Sequence, residues 1–437
     1  MTAGRSDNLL KHGGIMLAAT LIGGVANYLY HFVMIRLLTP ADYGTLYSLF
    51  AVIMIIGVPV GTISIVIAKY VSRYEGAGEE KKISKLVKNS VKKLSLVGMA
   101  VLGLFCLLSR PLGDYLKIQD ISLIIMIGAI LALTFVATVG VGGLQGLQRF
   151  TYLGVFNVIG PLGKIAFGAT LVLMNFGVIG ALTGVLIANL AGIFIAFFPL
   201  KNFLAMKYDK GEVHIEKKEI YQYLVPVAIS VFCFGFLTYY DVIAVKHYFS
   251  PEMAGYYSTC ALIGKAFLFP PIAFAAALFP KVSALHAAGK NPFSLLKKAM
   301  LVNVGVLLIG VIICLSIPGF LIDVLLKGKD ISAGNYSDMV VLMRIFGLMV
   351  VPYGLLNLII YYNLAVHRVR FLFFLGGGAL LLIAALFLFH YSLLQVVLVF
   401  GAVGYALFII SFIMVYSTKE VEGEGVQGED LYINAGV

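Results

Sequence analysis

Charged residues are scarce in this sequence. Only 12% of its 437 residues are Asp, Glu, Lys or Arg, whereas a soluble globular protein carries about 25%. Hydrophobic residues make up 61%, and the mean hydropathy is +0.99. So much apolar surface excludes a water-soluble fold and predicts a membrane protein, in which each helical span needs roughly 20 apolar residues.

Tryptophan is absent and cysteine is rare. The 24 tyrosines must therefore supply most of any aromatic belt at the membrane surface. The four cysteines lie in apolar stretches, at spacings that match neither a zinc site nor a redox pair. We expect them to be buried free thiols: Cys106, Cys233, Cys260 and Cys314.

Enzyme signatures are also missing. The sequence has no metal-ligand cluster, no phosphate-cradling P-loop and no nucleophile elbow. It therefore predicts neither catalysis nor a metal or other cofactor. Two energy sources for transport stay open, a proton or sodium gradient and the gradient of the substrate itself.

The apolar runs are continuous and long, which favours helices over the short alternating strands of a barrel. Twelve spans are predicted, at 14–36, 45–70, 94–112, 119–143, 151–174, 177–199, 219–246, 255–280, 293–318, 338–363, 370–390 and 392–416.

Lysine and arginine in the loops predict the orientation of these spans. The loops on one side, together with both termini, carry 22 of these residues, and the loops on the other side carry 6. Because positive residues accumulate in the cytoplasm, both termini are expected there, in a multi-pass protein of the cytoplasmic membrane. The net charge of +11 then reflects topology, and no nucleic-acid partner is expected.

Two polar segments flank the spans. The basic stretch Gly78–Leu94 has apolar residues at helical spacing, which indicates either an amphipathic helix on anionic lipid headgroups or a solvated linker. The acidic, glycine-containing tail, 417–437, is predicted to be disordered.

The sequence contains a weak internal repeat. Residues 27–78 align without gaps on 238–289, and although only eight of 52 positions are identical, they include Pro40 with Pro251 and Gly44 with Gly255. Proline and glycine set chain geometry, so the same outer corner is expected twice.

An even number of spans separates the two copies of the corner, so both halves point the same way. We therefore predict an all-α membrane protein with two six-helix lobes around a central cavity. The predicted divisions are the lobes 1–200 and 219–416, the cytoplasmic linker 201–218 and the tail.

Four charged residues lie inside predicted spans, where charge is costly and usually functional. They are Lys164, Asp241, Lys265 and Arg344. Three cations against one anion suit an anionic substrate in the cavity. Asp241 is expected either to form an ion pair or to take part in ion coupling.

Polar faces accompany these charges. Asn157, Pro161, Lys164 and Gly168 share one face of their helix and should turn away from lipid. The first span carries a second such patch, and the repeat places tyrosine beside Asp241. The additional candidates are Asn27, Tyr28 and Tyr239 for substrate binding and His31 for coupling or packing.

The opening "MIRLLTPADYGTLYSLFAVIMIIGVPVG", Met34 to Gly61, resembles that of the polysaccharide-biosynthesis flippases in the multidrug/oligosaccharidyl-lipid/polysaccharide exporter superfamily. "GGLQGLQRF" and "YYNLAVHRVRF" resemble the ends of that family's fourth and tenth helices. The resemblance implies a two-lobed, twelve-helix fold. It also implies flipping of a lipid-pyrophosphate-linked oligosaccharide to the outer leaflet.

Two other functions are compatible with such a chain. An ion-coupled multidrug antiporter of the same superfamily would need an acidic cavity, which the excess of intramembrane cations disfavours. A membrane glycan polymerase or transferase would need a large outer loop, and the longest one, about 319–337, is short. The sequence therefore favours an alternating-access flippase whose partners are an anionic lipid-linked glycan and membrane lipids.

Overall fold

The computed structural model describes residues 3–206 and 218–433, and side chains at 16, 18–206 and 225–417. Within these ranges all regular structure is helical. The helices there are α1 (Ala3–Leu37), α2 (Pro40–Gly76), α3 (Glu80–Leu107), α4 (Ser109–Leu116), α5 (Ile121–Gly146), α6 (Phe150–Leu171), α7 (Gly177–Phe197), α8 (Lys201–Ala205), α9 (Lys218–Tyr248), α10 (Pro251–Ala266), α11 (Phe269–Ala287), α12 (Phe293–Ser316), α13 (Pro318–Leu326), α14 (Ala333–Met349), α15 (Val351–Ala365), α16 (Phe371–Leu388) and α17 (Leu393–Ile433).

Ten helical stretches of the described chain are long and apolar enough to cross a membrane, or eleven with the bent pair α10–α11. One of the ten, Phe150–Ala205, contains both α6 and α7. The chain reverses between them at Asn175 and Gly177, with φ of 66° and 52°. A Cβ on Gly184 would lie 2.3 Å from the backbone nitrogen of Gly168, so the two helices run back along each other. When α6 and α7 are counted separately and the bent pair is included, the described chain has the twelve predicted spans.

The repeated corner is a feature of the fold. Pro40 is the first residue of α2 and Pro251 the first of α10, where proline loses no hydrogen bond. The aligned glycines Gly78 and Gly289 follow the ends of α2 and α11 with nearly equal φ, 69° and 68°. That left-handed conformation is one that glycine adopts without a steric penalty.

The helices after the two corners differ. The first copy, α2, is continuous through Pro59, whereas the second bends by 40° between α10 and α11. The second copy has two consecutive prolines, Pro270 and Pro271, at the start of α11. Since proline has no backbone N–H, this pair interrupts the helical hydrogen bonds.

The chain folds into two compact units. The first comprises Met1–Gly235, Val242–Ser258 and Leu325–Lys329. The second comprises Phe236–Asp241, Thr259–Val324 and Asp330–Val437. The corner of the second sequence half thus belongs to the first unit. The predicted lobes at 1–200 and 219–416 remain a prediction, and residues 207–217 of the predicted linker lie outside the described residues.

The basic stretch Gly78–Leu94 is not a linker, and its apolar face packs on protein. It forms the start of α3, and its apolar side chains are buried against Val71 and Tyr74 of α2 in the first unit. Ser84 donates a hydrogen bond to the carbonyl of Phe203 at 2.6 Å. The apolar positions recur at helical spacing because they pack on protein: Ile83, Leu86 and Val87.

The last helix, α17, continues to Ile433 and so includes most of the acidic tail, for which the composition predicts disorder. The tail has four glycines but no proline, and glutamate is a good helix former, so an uninterrupted helix can continue from the last span.

Candidate functional site

In the first unit, Lys164 of α6 lies against aromatic rings. Its Nζ is 4.6 Å from the ring centroid of Tyr30 on α1 and 5.6 Å from that of Phe50 on α2. These are cation–π distances. Within the described part of the chain, Lys164 has no hydrogen bond and no ion pair. Its charge is therefore balanced by ring faces and by no carboxylate.

The polar face predicted for α6 packs against α1. A Cβ on Gly23 would be 2.3 Å from the carbonyl oxygen of Asn157, and one on Gly168 would be 3.3 Å from the ring of Tyr30. The small residues allow this close approach, which holds Lys164 beside Tyr30. Tyr30 itself is fixed because its hydroxyl donates to the carbonyl of Ala181 at 3.1 Å.

His31 lies in the same cluster. Its ring centroid is 5.0 Å from that of Phe50 and 5.5 Å from that of Tyr47, both in edge-on geometry. Its Nδ1 lies 3.5 Å from the hydroxyl oxygen of Tyr43. We call the cluster of Tyr30, His31, Phe50 and Lys164 the lysine cage.

In the second unit, Lys265 of α10 forms an ion pair with Asp241 of α9. Its Nζ lies 2.7 and 2.8 Å from the two carboxylate oxygens. Lys265 is 4% exposed and Asp241 is fully buried. Aromatic rings surround the ammonium group here too, with centroids 5.3–5.8 Å from Nζ: Tyr239, Phe346 and Phe400.

This ion pair changes the predicted charge of the site. The sequence counts Lys265 as a cation available to substrate and leaves the role of Asp241 open. Because the two charges neutralise each other within the second unit, the remaining intramembrane cations of the set are Lys164 and Arg344.

The other residues predicted to bind substrate are less buried than Lys265 and Asp241. Asn27 is exposed, and its side chain donates to the carbonyl of Gly23 one turn back at 2.9 Å. Tyr28 and Asn157 are half-buried. Arg344 is exposed on α14, and among the described residues it makes no hydrogen bond or ion pair and does not join the Lys265–Asp241 pair.

The two repeated corners meet within the first unit. A Cβ on Gly255 would lie 1.9 Å from the carbonyl oxygen of Pro40, and one on Gly44 would lie 2.6 Å from the backbone nitrogen of Gly255. Only glycine permits this backbone contact at either position. The sequence predicts the repetition of the corner but not the contact between its copies.

Two lysines bind across these corners, and the sequence analysis counts them only among the six basic residues of the outer loops. Lys246 is 2% exposed, and its Nζ donates to Oγ1 of Thr45 at 2.8 Å. Lys329 donates to the carbonyl of Leu38 at 2.7 Å. Burial lowers the pKa of Lys329, and the nearby carboxylate of Asp42 opposes that shift.

A double-mutant cycle tests the hydrogen bond at the corner. We expect Lys246→Met and Thr45→Val each to destabilise the protein, with a coupling energy of about 1.5–3 kcal/mol, typical of a hydrogen bond to a charged group. Thermal unfolding of the two single variants and the double variant measures it. Additive effects would mean that the bond contributes nothing to stability.

The aromatic residues that α2 places at or beside the lysine cage also escaped the sequence analysis. Tyr43, Tyr47 and Phe50 recur at i, i+4 and i+7 in "YGTLYSLF", so they share one face of α2. That spacing, next to a first span with Tyr30 and His31, is the signal that could have located the cage.

Comparison with known proteins decides the family. The sequence profile of the family described as "Polysaccharide biosynthesis protein" matches residues 9–286, more than half of the chain. The chain belongs to this family. A comparison with curated proteins finds no match to this chain.

Solved structures of MOP superfamily transporters share the fold of this chain. The inward-facing multidrug resistance MATE family transporter is 14% identical, with a TM-score of 0.74 over 93% of this chain and 98% of that one. The lipid II flippase MurJ, in an inward closed conformation, is 15% identical, with a TM-score of 0.70 over 92% and 87%.

A third structure is a MOP superfamily transporter from Pyrococcus furiosus, 14% identical, with a TM-score of 0.58 over 94% of each chain. At these identities the similarity establishes the fold alone. Family and fold together support a multi-pass membrane transporter.

Proposed function

We propose that this protein flips a lipid-linked oligosaccharide, joined through a pyrophosphate, from the cytoplasmic to the outer leaflet of the cytoplasmic membrane. The membership in a polysaccharide biosynthesis family supports the glycan class. A neighbour in fold is the lipid II flippase MurJ, which supports a lipid-linked substrate. The excess of basic residues in one set of loops supports cytoplasmic termini.

The observation that carries the proposal is the lysine cage. A charged side chain within the membrane costs about 2.5–3.5 kcal/mol on insertion scales. Ring faces compensate only part of this cost, about 0.5–2 kcal/mol for a cation–π contact. A lysine without a carboxylate partner therefore gains energy when a phosphate oxygen approaches it.

The Lys265–Asp241 pair supports a different role in the same cycle. A buried ion pair contributes little net stability compared with apolar residues of the same size, so a transporter keeps it for specificity or switching. Either protonation of Asp241 or arrival of an anion at Lys265 would break it. In this proposal the pair links substrate or ion binding to the rocking of the two predicted lobes.

The drug antiporter alternative fits these residues less well. Binding of a cationic drug needs an available carboxylate, and the buried Asp241 already holds Lys265. The positive charge of the lysine cage would repel a cation.

Substitution in the lysine cage tests the substrate class. In a strain that lacks the native gene, we expect Lys164→Ala to reduce export of the glycan at least about tenfold, because one charge-assisted hydrogen bond is worth ~1.5–3 kcal/mol. The intact lipid-linked glycan should accumulate inside the cell. Mass spectrometry of extracted lipids measures it and also identifies the sugar.

The matched control is Lys290→Ala, which removes the same charge at an exposed position outside the cage. It should export normally, and Lys164→Arg should retain part of the activity. Normal surface glycan in Lys164→Ala cells, at equal protein level, contradicts the anionic substrate.

A further inference from the structure

The first unit contains an apolar groove that the proposed transport path does not use. Its volume is about 590 Å³, within the range of small-molecule sites, roughly 300–1,000 Å³. One wall is a single face of α7, because Leu190, Ile193, Phe194 and Phe197 are spaced i, i+3, i+4 and i+7. Val91 of α3 and Val136 of α5 form the opposite side.

Much of this apolar surface has no covering side chain within the described chain. Leu190 is 54% exposed, Phe194 72% and Phe198 47%. In a membrane such a surface faces acyl chains, and a groove holds a chain in more contacts than a flat helix does. The apolar part of the groove therefore fits a hydrocarbon tail.

One end of the groove is cationic. Lys201 lies at that end, with its Nζ 5.0 Å from the ring centroid of Phe198 and no ion pair within the described residues. A short 3₁₀ turn, Phe198–Leu200, separates α7 from α8, and α8 contributes Lys201 and Leu204 to the lining of the groove. Lys92 and Lys93, which follow the lining residue Val91 on α3, are exposed.

We infer that this groove is a binding site for an anionic phospholipid, with its acyl chain along α7 and its headgroup phosphate at Lys201. The inference rests on charge complementarity: an apolar channel that ends at a basic helix terminus matches the two parts of such a lipid. Basic pockets between membrane helices at the cytoplasmic side are typical sites for anionic headgroups. The site is separate from the lysine cage and does not require the proposed flippase activity.

Native mass spectrometry of the full-length protein in detergent tests the site. The probes are dioleoyl phosphatidylglycerol and dioleoyl phosphatidylcholine, which have the same chains and differ in headgroup charge. We expect preferential retention of the anionic lipid. Lys201→Gln should weaken that retention about fivefold, the effect of one lysine at a membrane surface.

The control for charge is Lys297→Gln. Lys297 is also exposed and lies 5.3 Å from the ring centroid of Phe293, but it does not line the groove. Its substitution should leave lipid retention unchanged. Equal retention of the two lipids, or equal effects of the two substitutions, overturns the assignment of the headgroup to Lys201.

The control for the apolar part is Ile193→Trp, which fills the groove without changing charge. It should reduce retention of both lipids by one bound molecule. Unchanged stoichiometry in a variant that elutes and melts like the wild type overturns the groove as the site. Because Lys201 is exposed, Lys201→Gln tests the lipid site even if Ile193→Trp does not fold.

Discussion

Asp241→Ala is expected to destabilise the protein by about 3–5 kcal/mol, the cost of leaving one member of a buried ion pair without its partner. Lys265 would remain within aromatic walls, 4% exposed, with no carboxylate to balance its charge. Thermal unfolding in detergent, followed by size-exclusion chromatography, measures the loss. The amount of protein in the membrane should fall as well.

The double variant Asp241→Leu/Lys265→Met separates stability from transport. Because apolar residues of similar size replace both charges, most of the lost stability should return. If the pair is a switch, this stable variant still fails to export the glycan. If it exports normally, the pair serves folding alone, and a single Asp241→Ala variant as stable as the wild type would contradict the ion pair itself.

Gly255→Ala is expected to have the second large effect. The added Cβ would lie 1.9 Å from the carbonyl oxygen of Pro40 and 2.4 Å from its carbonyl carbon, so a backbone must move. Overpacking typically costs about 1–3 kcal/mol, and a clash with backbone is at the upper end of that range. We expect export to fall at least tenfold, since about 1.4 kcal/mol against the contact between the two corners shifts its population tenfold.

The matched control is Gly24→Ala on α1, where an added Cβ meets nothing within 4 Å. It should be as active as the wild type and slightly more stable, because alanine is the better helix former. The reciprocal variant Gly44→Ala should resemble Gly255→Ala, since it clashes with the same corner. Full activity of Gly255→Ala would show that the corners need not touch during transport.

Much of the fold was predictable because only helices or closed barrels can span a bilayer. Continuous apolar runs predict helices, and all twelve predicted spans overlap helices of the structure. The repeat was predictable from Pro40 and Pro251, since proline and glycine act through local backbone geometry. The bend at Pro270–Pro271 was not, because Pro59 at the aligned position leaves its helix continuous.

The sequence identified the charged residues of the candidate site but not the residues with which they interact. Intramembrane charge identifies Lys164, Asp241 and Lys265 from the sequence. Spacing along the chain does not reveal that Asp241 and Lys265 neutralise each other, because they lie on different helices and meet only through packing. The same applies to Lys246 with Thr45, which are 201 residues apart in the sequence.

The most direct test of the transport proposal is flipping by the purified full-length protein in liposomes. The substrate is a labelled pyrophosphate-linked oligosaccharide on its lipid carrier, and the assay measures its appearance in the opposite leaflet. We predict rapid flipping by the wild type and Lys290→Ala, and a loss of at least about tenfold in Lys164→Ala. Equal rates for Lys164→Ala and the wild type would contradict the role of Lys164 in substrate binding.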